Sequence, residues 1–297
     1  MNLDSKVLYA IAGSPSEGYI DDVGRHARFR KPFGVASLPE SSLTSMLVVD
    51  RWNHCIRLIN RQSNQTSTFS GECGINPSLP VDGFIKDAKF GRINDLVKNP
   101  TDPTLLYTYS ENKRKIILLK INFPLEQSTV MMLEESDYSD VSMRSMRIKP
   151  DGNYIYIAFA ASLYWFNLKT YKGSNTNMFA DTLNDGPLFN AGFSSLNSVL
   201  FIDDQVILLS DEANNNFRIL DLQNETISSV CKISKQRTET YIGEEISSCI
   251  VYKPRHLFKH PERELVLILS DLSILQLDYE GIYLKRLVFV LILFTTV

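Results

Sequence analysis

The chain has 297 residues, 44% of them hydrophobic and 22% charged, and a formal net charge of −3. That length holds one large all-β domain or two ordinary ones, and that balance excludes a disordered chain. The small negative charge gives no broad positive field for nucleic acid, and local runs such as Lys113-Arg114-Lys115 read as solvated turns.

Met1 to Ala10 lacks the apolar core of a signal peptide. The stretch around which the chain is organised runs from Phe29 to Phe69. It reads F-R-K-P-F-G-V-A, then M-L-V-V-D-R-W-N-H-C-I-R-L-I, then S-T-F-S-G. Three short apolar runs separated by turn residues predict one small antiparallel sheet. Asp50 closes a strand, and Asn53 follows three residues later. Both are placed to hydrogen-bond backbone groups of the hairpin turn. Arg57, in the next strand, is placed to form an inter-strand charge pair. Ile56 and Leu58 fall on one face of that strand.

The pattern recurs about every 50–60 residues. The second copy has Asp82-Gly83, then A-K-F, I-N-D-L, L-L-Y-T-Y-S and K-I-I-L-L. The third is degenerate, with Met146–Ile148, the turn Pro150–Asn153, and strands around Tyr154–Phe159 and Leu163–Leu168. The fourth is the clearest. Asp185-Gly186 precedes three strands, and Asp211, Asn214, Phe217 and Arg218 repeat the positions of Asp50, Asn53, Ile56 and Arg57. The fifth offers K-P-R-H-L, L-V-L-I-L-S-D and S-I-L-Q-L-D. No long 3.6-residue apolar period occurs, so few helices are expected.

These motifs resemble the NHL repeat, one blade of a β-propeller, over residues 7–285. The resemblance implies an all-β, NHL-type propeller from a six-bladed parent architecture. Five blades are recognisable, at about 14–71, 72–132, 133–180, 181–231 and 232–285. Copy one departs from the family pattern, with Asp21-Asp22-Val23-Gly24 where the others have Asp-Gly, so its loop is expected to differ. Lys6–Gly13 reads as an outermost strand. Arg286–Val297 is an apolar tail, too short for three more strands, so a partial sixth blade is expected. On that reading the faces of copies one and five are only partly covered. Leu287–Phe294 is wholly apolar and too short to span a bilayer. A strand pairing into the gap and the beginning of a membrane segment both remain open.

The four cysteines fall into two local pairs, Cys55 with Cys73 and Cys231 with Cys249. Neither spacing is that of a zinc motif. Two disulfides are expected, and with them an oxidising compartment; four buried thiols, or bridges between distant copies, are the alternatives. The sequons at Asn64 and Asn224 agree with an extracellular or cell-surface setting. Both are expected in the turn before an outermost strand.

His26, His54, His256 and His260 are the histidines. The related amidating lyases hold zinc with channel histidines, but here the four are scattered and no metal site or cofactor is expected. Asp21-Asp22, Glu134-Glu135, Asp203-Asp204 and Glu244-Glu245 read as turn residues. Asp82 or Asp185 would be the acids to consider for calcium. Tyr154, Tyr156, Tyr164 and Trp165 read as inter-blade packing, or else as a recognition patch. No nucleophile or phosphate-loop motif appears. The reading is a non-enzymatic propeller that takes a protein or glycan partner on its loop faces. Asp50, Asn53, Arg57, Asp211, Asn214 and Arg218 are its repeat-motif structural residues. The rivals are a propeller enzyme, channel-metal lyase or hydrolase-like, and an RNA-binding NHL module.

Overall fold

The computed structural model describes residues 10–38, 45–77, 81–112, 114–135, 143–176, 183–230, 251–259, 265–270, 274–280 and 283–290. Among them the structure is all-β, five antiparallel sheets whose only helical pieces are single 3-10 turns. The chain divides into two units, Met1–Val141 and Ser142–Val297.

The first unit holds two sheets. Strands β1 (Pro32–Ser37), β2 (Ser45–Asp50), β3 (Cys55–Asn60) and β4 (Thr66–Ser70) pair in chain order. The second sheet contains β5 (Gly83–Phe84), β6 (Ile93–Lys98), β7 (Leu105–Ser110), β8 (Lys115–Lys120) and β9 (Thr129–Glu135). There β5 pairs with β9, so the Asp82-Gly83 segment crosses back to the outer edge. Leu47, Val49 and Ile56 of the first sheet pack with Phe90, Leu96, Leu106 and Ile117 of the second. Each such side chain contributes about 1.5–3 kcal/mol when fully buried. The sheets come close at Gly34, where an added Cβ would lie 2.7 Å from the Leu96 nitrogen. Because strand side chains alternate, Phe33 and Val35 face the other way, and they are 44% and 59% exposed.

The second unit holds three sheets. Strands β10 (Ser145–Ile148), β11 (Tyr154–Ala158), β12 (Leu163–Asn167) and β13 (Lys172–Asn175) form the first. The next contains β14 (Gly186–Pro187), β15 (Leu196–Phe201), β16 (Val206–Asp211), β17 (Asn216–Asp221) and β18 (Thr226–Ser229), with β14 against β18. The last runs β19 (Pro254–Lys259), β20 (Leu265–Ser270), β21 (Ile274–Glu280), β22 (Tyr283–Val290). Every residue of β15 and β16 is buried. Their sheet is covered on one face by Tyr156 and Leu163 and on the other by Leu257, Val266 and Ile268. Two covered faces explain why V-I-L-L shows no polar alternation.

Several expectations change. The third copy, read as degenerate, is a complete four-stranded sheet. Its outer strand, K-G-S-N, carries no apolar alternation because it is exposed along most of its length. Arg286–Val290, read as tail with a strand or a membrane segment both open, is the second half of β22 and pairs with β21 in the fifth sheet. Pairing satisfies that backbone, as an isolated apolar tail would not. Ala10–Gly13 lies outside any strand, and the rest of the expected strand from Lys6 lies outside the described residues. Cys55 and Cys73 form a disulfide. Cys231 and Cys249 lie outside the described residues.

Candidate functional site

The repeat-motif residues come together around two buried arginines. Arg57 donates from Nη1 to Asp50 Oδ2 at 3.1 Å and to the Arg28 carbonyl at 3.0 Å. Its Nη2 reaches the Ile20 carbonyl at 3.0 Å and the Asp21 carboxylate. Arg218 repeats the arrangement. Its partners are the Gly192 carbonyl at 3.0 Å, the Asn184 carbonyl at 2.7 Å, Asp185 at 2.8 Å and Asp211 at 3.6 Å. Phe29 and Phe193 each lie beneath one guanidinium, 5.1 and 5.4 Å from it. Both arginines are fully buried. Burial pushes Arg218 below its ordinary pKa, against the pull of Asp185 and Asp211. Burial also raises the Asp50 carboxyl, against its bonds to Asn53, the Arg30 N–H and Arg57.

Asp50 and Asn53 do not merely close their own turn, as expected. Asp50 accepts from the Arg30 N–H at 2.7 Å, and Asn53 donates to the Gly18 carbonyl at 2.7 Å. Asp211 accepts in the same way from Ser195 at 3.0 Å, and Asn214 donates to Asp211 at 2.8 Å. The motif therefore ties each hairpin to the segment leading into its own sheet. Asp21 does in copy one what Asp185 does in copy four. Each carboxylate meets the arginine and accepts from an outer-strand N–H, Thr68 in one sheet and Ser229 in the other, both at 2.9 Å. So the Asp-Asp-Val-Gly loop, expected to differ, makes the same contacts. Asp82 bonds the Met132 N–H at 3.0 Å. Asp185 is committed to Arg218 and Ser229.

A pocket of about 490 Å³ opens in the second unit, lined by Ser195, Glu212, Ala213, Asn215, Tyr252 and Lys253. The β16–β17 turn supplies one wall and the segment before β19 the other. Asn215 and Lys253 both have left-handed backbones, φ 50° and 43°. The Lys253 N–H donates to Asn215 Oδ1 at 2.9 Å, joining the walls. Glu212 accepts from Arg255 Nε at 3.2 Å on one oxygen and from Asn197 on the other. Lys253 Nζ stands 5.5 Å from the Tyr252 ring centre. An aromatic ring, a cation, a hydroxyl and an amide thus line a space with one carboxylate, each of whose oxygens accepts one hydrogen bond.

The same place exists in the first unit, filled. Asp50 opposes Cys55 as Asp211 opposes Asn216, so Arg51, Trp52 and His54 stand where Glu212, Ala213 and Asn215 stand. Lys31 precedes β1 as Ser195 precedes β15, and Arg92 precedes β6 as Lys253 precedes β19. At the position of Ala213 the first unit carries Trp52, with Lys31, Arg30 and Arg92 around its ring. Nothing in the sequence singled out Trp52, Glu212 or Lys253. For Trp52 and Glu212 the signal lay in aligning the residues just after each second strand, and for Lys253 in aligning the residue just before each first strand.

The remaining candidates are dispersed. His26 and His256 are exposed, His54 belongs to the filled loop, and His260 lies outside the described residues. No three His, Cys, Asp or Glu side chains converge among the described residues. Asn64 and Asn224 are exposed in the turns before β4 and β18. Tyr156 packs on Trp165 at 6.5 Å and on Phe201 at 5.5 Å, and Trp165 meets Phe189 at 5.6 Å. These rings pack the first two sheets of the second unit together.

No protein-family model matches the chain, and no curated protein matches it by sequence. Among solved structures it is similar to a putative phosphatase from Bacteroides thetaiotaomicron, at 11% identity and a TM-score of 0.60, covering 93% of this chain and 65% of that one. It is also similar to a streptogramin B lyase, at 8% identity and 0.58, covering 91% and 74%. An auxiliary nutrient binding protein from Bacteroides ovatus matches at 11% identity and 0.51, covering 95% and 76%. These likenesses are to propeller-like structures and show the fold alone. Two are titled as enzymes and one as a binding protein, so function has to be argued from the site.

Proposed function

We propose that the chain is a non-enzymatic recognition propeller that works outside the cell and takes a glycan or protein partner through its loops. The observation that carries this is the pocket of the second unit. Its single carboxylate, Glu212, is held by Arg255 and Asn197, while Tyr252, Lys253, Ser195 and Asn215 face the space with groups suited to binding. The Cys55–Cys73 disulfide supports an oxidising compartment. On the same reading the sheets are NHL-type blades of a six-bladed parent, supported by the Asp–Arg motif that recurs in the first and fourth copies. Asn64 and Asn224 would then carry glycans, both in exposed turns at an outer edge.

The test is retention on a panel of immobilised oligosaccharides and extracellular matrix proteins. Wild type binds one class, and Ala213→Trp, which fills the pocket as Trp52 fills its counterpart, loses it without losing the fold. Catalytic turnover that Glu212→Gln abolishes would establish the enzyme reading instead. A glycosidase-sensitive gel shift on secretion from a eukaryotic host checks the compartment.

A further inference from the structure

The filled loop of the first unit has a charge pattern of its own. Lys31 Nζ lies 3.8 Å from the Trp52 ring centre, Arg30 at 5.3 Å and Arg92 at 5.8 Å. Arg51 sits beside them, 5.4 Å from the Phe33 ring. Among the described residues, two carboxylates pair with three of these four cations. Glu17 meets Arg30 at 3.3 Å. Glu111 takes Arg51 through both oxygens, at 2.8 and 3.0 Å, and approaches Arg92 at 3.9 Å. The side chains of Arg30 and Arg92 are 47% and 48% exposed, so their outer faces meet solvent. Like charges gathered so closely repel, and the two carboxylates together with the electron-rich face of a tryptophan offset that repulsion. His54 senses the surplus. Its pKa is lowered by burial first, and then by Arg92 and Arg30.

We propose that this cluster is an anion-binding site for a sulfate ester on an acidic glycan, with Trp52 as the scaffold that holds its cations together. Three cations lie within 5.8 Å of one ring centre, a compact grouping that matches a tetrahedral oxyanion more closely than a long phosphodiester chain. Lys31 lies over a face of the ring, and the net charge of −3 supplies no wider field for nucleic acid. Arginine forks and a lysine are the groups that charge-assisted bonds to such an oxyanion require. Sulfate rather than phosphate rests on the extracellular reading above; the cluster itself is independent of the pocket.

The experiment is calorimetric titration of the full chain at physiological salt with a sulfated hexasaccharide, its desulfated counterpart, inorganic sulfate, inorganic phosphate and a phosphopeptide. The sulfated sugar should bind at least about tenfold more tightly than the desulfated one, the factor that one lost charge-assisted contact of about 1.4 kcal/mol sets. The double variant Lys31→Gln/Arg92→Gln should lose that margin. Ala213→Trp should keep it, which separates failure of this site from failure of the pocket. Equal affinity for both sugars, an unchanged margin in the double variant, or tighter binding of the phosphopeptide overturns the proposal. A sulfated sugar no tighter than inorganic sulfate overturns the glycan part.

Discussion

Replacing Arg57 by isoleucine tests the buried motif against a solution that the chain itself contains. The register places Ser110 and Ile117 of the second sheet where the first has Asp50 and Arg57. Ile117 is as fully buried as Arg57, so this fold tolerates an apolar residue at that position. Arg57→Ile alone leaves the fully buried Asp50 with no cation and strips a donor from the Arg28 and Ile20 carbonyls. Breaking a buried pair from one side costs about 3–5 kcal/mol. Asp21, half-exposed, turns to water and adds little. The double variant Asp50→Ser/Arg57→Ile removes the stranded charge as well, and should recover at least about 1 kcal/mol of the loss. Urea unfolding followed by tryptophan fluorescence reads this as a midpoint lowered by at least about 1 M in the single variant, partly restored in the double. A single variant within about 1 kcal/mol of wild type, or a double no more stable than the single, would refute the reasoning.

Gly34→Ala should destabilise the first unit by about 1–3 kcal/mol, because its Cβ would meet β6 backbone 2.7 Å away and backbone cannot swing aside; thermal unfolding checks it. Reducing the Cys55–Cys73 bridge, or Cys73→Ser, reopens a loop of sequence separation 18. The chain-entropy relation gives a loss of about 3 kcal/mol for a loop of this size, read as a lower urea midpoint under reductant. His54 titrates below the ordinary 6.5 because burial and the nearby Arg92 and Arg30 disfavour its cation. Between its folded and unfolded pKa values the unfolded chain binds more protons. The contribution of His54 is therefore complete above the ordinary value and lost as pH falls through the folded one. An NMR titration of the His54 ring gives the folded pKa, and His54→Gln should flatten that limb of the stability curve.

What the sequence disclosed depended on where each partner lies along the chain. Asp50, Asn53 and Arg57 were legible as one motif because they sit within eight residues and recur at Asp211, Asn214 and Arg218. Their other partners were not. Asp21 is 36 residues upstream of Arg57, and the Asp185 match was obscured because copy one writes Asp-Asp-Val-Gly where copy four writes Asp-Gly. Their shared contacts, to the arginine and to the outer strand, show that the two acids do one job. The third sheet looked degenerate because it uses rings instead of an ion pair, with Trp165 at the register position of Arg57. Aromatic packing has no spacing signature beyond strand alternation, so composition alone could not separate it from a surface patch. The loop clusters were the least legible. Trp52, Arg92 and Lys31 come from three turns on two sheets, each turn free to vary so long as the strands on either side keep register. A fold that fixes its hairpins with a buried arginine leaves the residue two places after the aspartate unconstrained. In this chain that residue is tryptophan once and alanine once, a charged platform in one unit and a pocket in the other. The structural motif and the candidate binding sites are therefore adjacent for a physical reason: the aspartate and arginine hold the turn whatever that residue is.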